Sequence, residues 1–335
     1  MYRHLLVPLD GSDLSIETVS RAVNLARALG ARVSFLHVQD SHVADGDHEA
    51  LDLAAPAAYA DAYQERASTL LTKAEAAARA LGVPCDSSIR VSDMPHEAIL
   101  DTARKAGCDL IFMASHSRRT AVDTPLGSQT LKVLTTGELP VLVSSTRDAG
   151  HTHPMVDVIR DEHRSLATVL HAWLRLLDQC DRHGAAADTD LMRAMAHYIT
   201  EVPLALHQPR EHDYLFLVLR GRTASVHAEL DELERQHERE RAMAEALGDM
   251  VERYDRGQVT LAQLRGVVET YARFMWEHMG RVEGVILPAA QRYLTEADWN
   301  DIQSAATRPH DSRPRGETQA AWRQLFSRIA HLASP

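Results

Sequence analysis

The stretch His207-Gln-Pro-Arg-Glu211 decides the fold of the C-terminal half, because it places an imidazole and a carboxylate four residues apart. On an α-helix, residues at i and i+4 lie one above the other on the same face. A histidine and a glutamate in that arrangement bind one metal ion together, or two ions side by side. The stretch therefore predicts a helix that carries metal ligands.

Three further histidines lie in separate segments with helical periodicity: His163, His237 and His278. Four helices that each present an inward histidine, with glutamates interleaved, are typical of carboxylate-bridged metal centres in helical bundles. Imidazole and carboxylate suit iron and manganese better than Cu(I), which prefers thiolate and thioether. This pattern predicts a bundle that binds iron and, through it, a small gas such as dioxygen or nitric oxide.

Length and composition indicate a soluble protein of two domains. The chain has 335 residues, more than one compact core usually holds. Its net charge of −11 argues against a nucleic-acid partner and against binding to an anionic membrane. We expect no membrane partner, since no apolar run approaches the roughly 20 residues that a membrane span requires. The three cysteines are far apart, which fits a reducing cytoplasm rather than a disulfide framework or a zinc site.

The two halves of the chain differ in periodicity. Residues 1–147 alternate short β-branched runs with helical runs, which predicts an α/β domain with a doubly wound, parallel, five-stranded sheet. Residues 148–155 have the composition of a linker. Residues 156–335 show helical periodicity without strand candidates, which predicts an all-α bundle with a C-terminal extension. Thirteen of the nineteen histidines follow residue 150, so we expect the metal chemistry in the second half.

Four segments of the second half resemble the hemerythrin-like (HHE cation-binding) family, in particular its branch of di-iron proteins that repair iron–sulfur clusters. The segments are, in chain order, Asp-Glu-His163, His207-Gln-Pro-Arg-Glu211, Arg-Gln-His237-Glu and Glu277-His278-Met-Gly-Arg-Val-Glu283. The resemblance implies a four-helix hemerythrin-like bundle with a non-haem di-iron site. The ligands that it implies are His163, His207, Glu211, His237, His278 and Glu283.

One position departs from that family's pattern. The family usually has a ligand glutamate four residues after the last histidine, where this chain has Val282. Glu283 follows one residue later, about 140° from His278 around an ideal helix. A local bulge or a long rotamer is needed to bring it in, although hemerythrins proper use an acid at this wider spacing. If Glu283 does not reach the site, one iron lacks a bridge and is weakly held.

Segments of the first half resemble the universal stress protein family. They are Leu6-Val-Pro-Leu-Asp10-Gly-Ser12, Asp109-Leu-Ile-Phe-Met-Ala114-Ser-His-Ser117, Leu126-Gly127-Ser128 and Leu139-Pro-Val-Leu-Val143. Part of this family binds ATP through a G-x2-G-x9-G-(S/T) loop, beyond the C-terminal strand ends where ligands of such sheets bind. The resemblance also implies a homodimer in which the edge strand at 140–144 pairs across the interface.

The chain keeps the spacing of the ATP loop but not all of its glycines. It reads Ala114-x2-Ser117-x9-Gly127-Ser128, and Asp10 matches the acid of the family's nucleotide pocket. Small residues let the backbone approach phosphate, and amide N–H groups at the start of the following helix hold it. A Cβ at positions 114 and 117 limits that approach. ATP binding and a purely structural or dimerising role therefore both stay open.

Three functions are compatible with these features. The first is a cytoplasmic stress-response protein whose di-iron site binds or senses dioxygen, nitric oxide or redox state. The second is a di-iron protein that scavenges nitric oxide or peroxide, or repairs iron–sulfur clusters. The third is a nucleotide-binding stress protein with a vestigial metal site. We assign no catalytic residue, and the sequence favours a binding or sensor protein over a turnover enzyme.

Overall fold

The computed structural model describes residues 1–11, 13–39, 56–115, 126–144, 153–184, 187–202, 207–307 and 329. The chain divides into two compact units. The first is Met1–His151 with Met279–Pro288, and the second is Thr152–His278 with Ala289–Pro335. The predicted linker lies largely outside the described residues. The predicted domain boundaries stay a prediction.

The first unit contains a five-stranded sheet in which all pairings are parallel, in the order β3-β2-β1-β4-β5. The strands are β1 (His4–Leu9), β2 (Arg32–Gln39), β3 (Cys85–Val91), β4 (Leu110–Ala114) and β5 (Val141–Ser144). Four helices alternate with them: α1 (Asp13–Leu29), α2 (Pro56–Ala80), α3 (Pro95–Ala106) and α4 (Ser128–Thr136). The predicted doubly wound α/β fold is confirmed.

Hydrophobic strand residues cover both faces of this sheet. Leu5 and Val7 belong to one buried cluster, whereas Leu6 and Ile111 belong to another. Successive residues of a strand point to opposite faces, so both faces are packed, as is typical of parallel sheets. Strand order reverses between β1 and β4, which places the switch point at the carboxyl ends of these two strands.

The second half of the chain is all-helical over its described residues, as predicted. Its α-helices are α5 (Pro154–His183), α6 (Thr189–Val202), α7 (Leu217–Arg222), α8 (His227–Asp255), α9 (Leu261–Arg281), α10 (Leu287–Tyr293) and α11 (Glu296–Thr307). Two π-helical segments interrupt them, Arg210–Phe216 before α7 and Val282–Ile286 after α9. None of the helices described is both long and apolar enough to cross a membrane.

Candidate metal centre

Four of the predicted ligands come together in the second unit. They are His163 on α5, His207 and Glu211 around the first π-helical segment, and His278 on α9. All four side chains are buried, and one ligand atom from each lies within 4.8 Å of those of the others. Residues that are far apart in the chain therefore converge on one point inside the bundle.

Helix α8 delivers its candidate ligand through the same stripe that forms the core. On α8 the stripe runs through Leu230, Leu233, His237, Glu240, Ala244, Leu247 and Val251, all buried. Steps of three and four residues keep one face of a helix toward the core. A histidine at such a position points inward without any change to the backbone.

The π-helical turn at Arg210–Phe216 contains the second residue of the His207/Glu211 pair. His207 Nε2 lies 3.2 Å from Glu211 Oε1, so the two side chains meet as the four-residue spacing predicts. Single π-helical turns inside α-helices are frequent at functional sites.

The Glu211 carboxylate lies between two pairs of histidines. Its Oε1 is 3.2 Å from His207 Nε2 and 3.5 Å from His163 Nε2. Its Oε2 is 3.1 Å from His237 Nε2 and 3.3 Å from His278 Nε2. One carboxylate oxygen thus faces each pair, which is the arrangement that a carboxylate bridging two metal ions requires.

The ligand atoms of this cluster are arranged to bind a cation rather than to hydrogen-bond with one another. The Nε2 atoms of His163 and His207 are 3.1 Å apart, and both face the Glu211 oxygen. Within the described part of the chain, Glu211 Oε1 is buried and accepts no well-directed hydrogen bond. Nitrogen lone pairs that converge on a carboxylate form the donor set that iron binds. The residues present therefore fit a metal ion.

Two of the imidazoles are oriented by side chains behind them. His207 Nδ1 lies 2.9 Å from Glu162 Oε2, and the same carboxylate forms an ion pair with Arg210. His278 Nδ1 lies 3.3 Å from Gln236 Oε1. If each Nδ1 carries the proton and donates it to its oxygen, each Nε2 lone pair faces the centre. Such partners behind ligand histidines set both ring orientation and basicity.

Electrostatics favour an ionised Glu211 and a neutral His278. Burial raises the pKa of Glu211, but the charge of His207 and the contacts with His163 and His237 outweigh it. The pKa of Glu211 is therefore held well below its usual range. Burial lowers the pKa of His278, against the opposing effect of Glu211. An ionised carboxylate and a neutral imidazole are the metal-binding forms of these groups.

Glu283, the sixth predicted ligand, makes a different contact. The bulge that its spacing calls for is present as the π-helical turn Val282–Ile286. Within the first unit, however, Lys73 Nζ donates to Glu283 Oε1 at 2.9 Å, and the side chain is 8% exposed. Glu283 is not one of the four residues of the described cluster. Its role as a ligand stays a prediction.

Sequence reasoning missed a buried carboxylate next to this centre. Glu240 on α8 accepts a hydrogen bond from Gln208 Nε2 at 2.6 Å and another from the Tyr271 hydroxyl at 3.0 Å. Its signal in the sequence is its place on the inward stripe, three residues after His237. Glu162 was missed as well, although it directly precedes His163.

The predicted nucleotide residues lie at the switch point of the sheet, as far as they are described. Asp10 follows β1 and Ala114 ends β4, the strand beside it. The N–H of Gly127 donates to the carbonyl of Ser115 at 2.7 Å, and Ser128 begins α4. Ser117 lies outside the described residues. ATP binding by this chain stays a prediction.

Comparison with known proteins identifies two families along the chain. Residues 1–145 match the model of the universal stress protein family, and residues 154–290 match that of the hemerythrin HHE cation binding domain. A universal stress protein of Thermus aquaticus is 31% identical over 147 residues, which cover 43% of this chain and 98% of that protein. Universal stress protein YxiE of Bacillus subtilis is 29% identical over 147 residues, 43% of this chain and 99% of that protein.

One solved structure is that of a universal stress family protein from Burkholderia pseudomallei. It is 26% identical, with a TM-score of 0.35, and the match covers 43% of this chain and 96% of that one. The predicted fusion of the two families is confirmed by the family matches.

Proposed function

Because the chain belongs to the universal stress protein family and carries a hemerythrin HHE cation-binding domain, we propose that it is a cytoplasmic stress-response protein with a non-haem di-iron centre. The centre binds or senses dioxygen, nitric oxide or redox state. The stress-protein part dimerises the molecule.

The position of Glu211 between two histidine pairs is the observation that carries this proposal. His163 and His207 face one carboxylate oxygen, and His237 and His278 face the other. Two cations held close together repel each other, and a shared carboxylate offsets that repulsion. We therefore propose that each histidine pair would hold one ion, and that the Glu211 carboxylate between the pairs would supply the shared negative charge.

These residues hold, orient and shield the ions. Glu162 and Gln236 fix the rings of His207 and His278 from behind, and burial of the proposed ligands keeps bulk water away. Iron with an open coordination position supplies the binding of a small gas or a change of oxidation state. We propose a binding or sensing role for this centre rather than turnover.

Metal analysis of the purified protein and two variants tests the proposal. We expect about two irons per chain and an oxo-bridge absorption band in the wild type. In His207→Ala we expect less bound iron and no band, because one ion loses half of its imidazole pair and an oxo bridge requires both ions. His212→Ala is the matched control, since His212 is exposed and next to Glu211 in the same π-helical turn. Unchanged iron in His207→Ala would show that the site is assigned wrongly.

Addition of nitric oxide or dioxygen to the reduced protein separates a gas-binding role from the alternatives. The visible absorption of a gas-binding centre changes as gas is added and then stays constant once every site is occupied. Continued consumption of nitric oxide or peroxide would instead support a scavenging enzyme.

A further inference from the structure

Glu240 is a buried acid that the proposed centre does not yet use. It lies on α8, one turn beyond His237, and its side chain is only 1% exposed. Residues at i and i+3 of a helix share a face, so His237 and Glu240 both point into the bundle. A glutamate is almost never found so deeply buried unless it is paired.

Both hydrogen-bond partners of Glu240 are neutral. The Gln208 amide donates to Oε2 at 2.6 Å, and the Tyr271 hydroxyl donates to Oε1 at 3.0 Å. Burial, together with the charge and hydrogen bond of Glu240, raises the pKa of Tyr271 well above its usual range. The phenol therefore keeps its proton and remains a donor. Each carboxylate oxygen still has a lone pair that these two donors leave unused.

Glu240 has no cationic side chain as a partner among the residues that the structure describes. The ion pairs described around the bundle use other acids, such as Glu162 with Arg210. An ionised carboxylate inside a bundle costs several kcal/mol when no opposite charge accompanies it. A bound cation is the remaining way to offset that cost while the group stays ionised.

The segments around Glu240 are those that carry the metal ligands. Gln208 directly follows His207, Tyr271 lies two helical turns before His278, and Glu240 itself follows His237 by one turn. The residues that hold the carboxylate, Gln208 and Tyr271, thus lie on the same segments as proposed ligands. The only cations proposed in this region are those of the metal centre.

We propose that Glu240 is a carboxylate ligand of the metal ion held by His237 and His278. This inference rests on the proposed di-iron function. It assigns to α8 the acid that Val282, the first residue of the second π-helical segment, does not supply, while Glu283 is paired with Lys73. Gln208 and Tyr271 then act as positioning residues, which hold the carboxylate against the bundle until the ion binds.

Iron stoichiometry of single glutamine variants tests this assignment in the full-length protein. We expect about two irons per chain in the wild type and about one in Glu240→Gln, because the amide keeps the shape but loses the charge. Glu238→Gln is the matched control, since Glu238 is an exposed carboxylate on the same helix, and it should keep about two. Glu283→Gln should also keep about two.

Thermal unfolding supplies a second readout that does not depend on activity. Without metal, Glu240→Gln should unfold at the same temperature as the wild type or higher, because a buried uncompensated charge has been removed. Added Fe(II) should raise the Tm of the wild type more than that of Glu240→Gln, because only the wild type gains the second bound ion.

The outcomes separate the two proposals. A wild type that binds no iron overturns the proposed function itself. A wild type and a Glu240→Gln variant that both bind about two irons overturn the role of Glu240 alone. If Glu240→Gln does not fold, the iron content of Glu283→Gln decides. About two irons in Glu283→Gln would mean that Glu283 is not the acidic ligand, as proposed. About one iron in Glu283→Gln would assign the acidic ligand to Glu283 and overturn the inference.

Discussion

At the scale of single residues, the centre depends on how each imidazole is held as much as on its presence. Glu162 illustrates this, because its carboxylate contacts both His207 and Arg210. The Arg210 pair limits the motion of Glu162, and Glu162 in turn sets which His207 nitrogen faces the candidate centre. A residue with no place in the predicted ligand set thus determines the geometry of a ligand.

Substitution of Glu162 by glutamine should weaken iron binding about 10- to 100-fold, as is typical when the partner behind a ligand histidine is lost. The amide keeps the volume but loses the charge that holds the Nδ1 proton of His207. Chelator competition titrations with Fe(II) measure the affinity. Asp161→Asn is the control, because Asp161 is an exposed acid on the same helix. Equal affinities of all three proteins would contradict the positioning role of Glu162.

At the scale of elements, helix ends are held by charged side chains from distant segments. Asp298, in the first turn of α11, accepts from the N–H and hydroxyl of Thr295 and pairs with Arg222 at the end of α7. The Arg222 guanidinium, followed by the Thr295 donors, holds the pKa of Asp298 far below its ordinary value of 3.8. This contact ties the tail of the bundle to the segment that follows the first π-helical turn.

The depressed pKa makes the stability of this contact depend on pH. Because Asp298 is more acidic in the folded than in the unfolded chain, its ionised form stabilises the fold above about pH 4. That contribution is lost as the pH falls toward the folded-state pKa. Asp298→Asn should therefore unfold at a lower urea concentration than the wild type at pH 7. The difference between their unfolding midpoints should narrow between pH 5 and pH 3.

Urea unfolding curves of the metal-free proteins across this pH range measure the difference between the two unfolding midpoints. Asp301→Asn, an exposed acid on the same helix, is the control and should follow the wild type throughout. A difference in unfolding midpoint that stays constant or widens as the pH falls would exclude Asp298 as the source of this pH dependence.

At the scale of the whole molecule, the β5 edge of the sheet carries exposed apolar side chains. Leu142 on edge strand β5 is 39% exposed, and Leu131 and Leu134 on α4 are exposed as well. Exposed apolar residues next to an unpaired strand edge favour pairing with a second copy. We therefore expect a homodimer through β5.

Leu142→Lys should convert this dimer to a monomer, because a charged side chain would be buried in the paired edge. Sedimentation velocity measures the change as a halving of the mass. Val91→Lys is the matched control, since Val91 is 64% exposed at the end of the opposite edge strand, β3, and it should leave the dimer intact. A Leu142→Lys protein that remains dimeric would place the interface elsewhere.

Local patterns in the sequence predicted the elements of this protein and the four residues of the candidate metal cluster. Strand and helix periodicities follow from backbone geometry alone, so the alternation in residues 1–147 and the helices after them could be predicted. The His207/Glu211 pair could also be predicted, because its two members lie one helical turn apart.

Only the tertiary structure decided which residues meet across helices. Three contacts join residues that are far apart in the chain. They are the histidine contacts of the two Glu211 oxygens, the ion pair of Glu283 with Lys73, and the hydrogen bonds of neutral donors to Glu240. Such contacts depend on how each helix is rotated about its axis, and the two π-helical turns shift that rotation. The physical reason is that side-chain spacing along one helix is local, whereas the pairing of two helices is set by packing of the whole bundle.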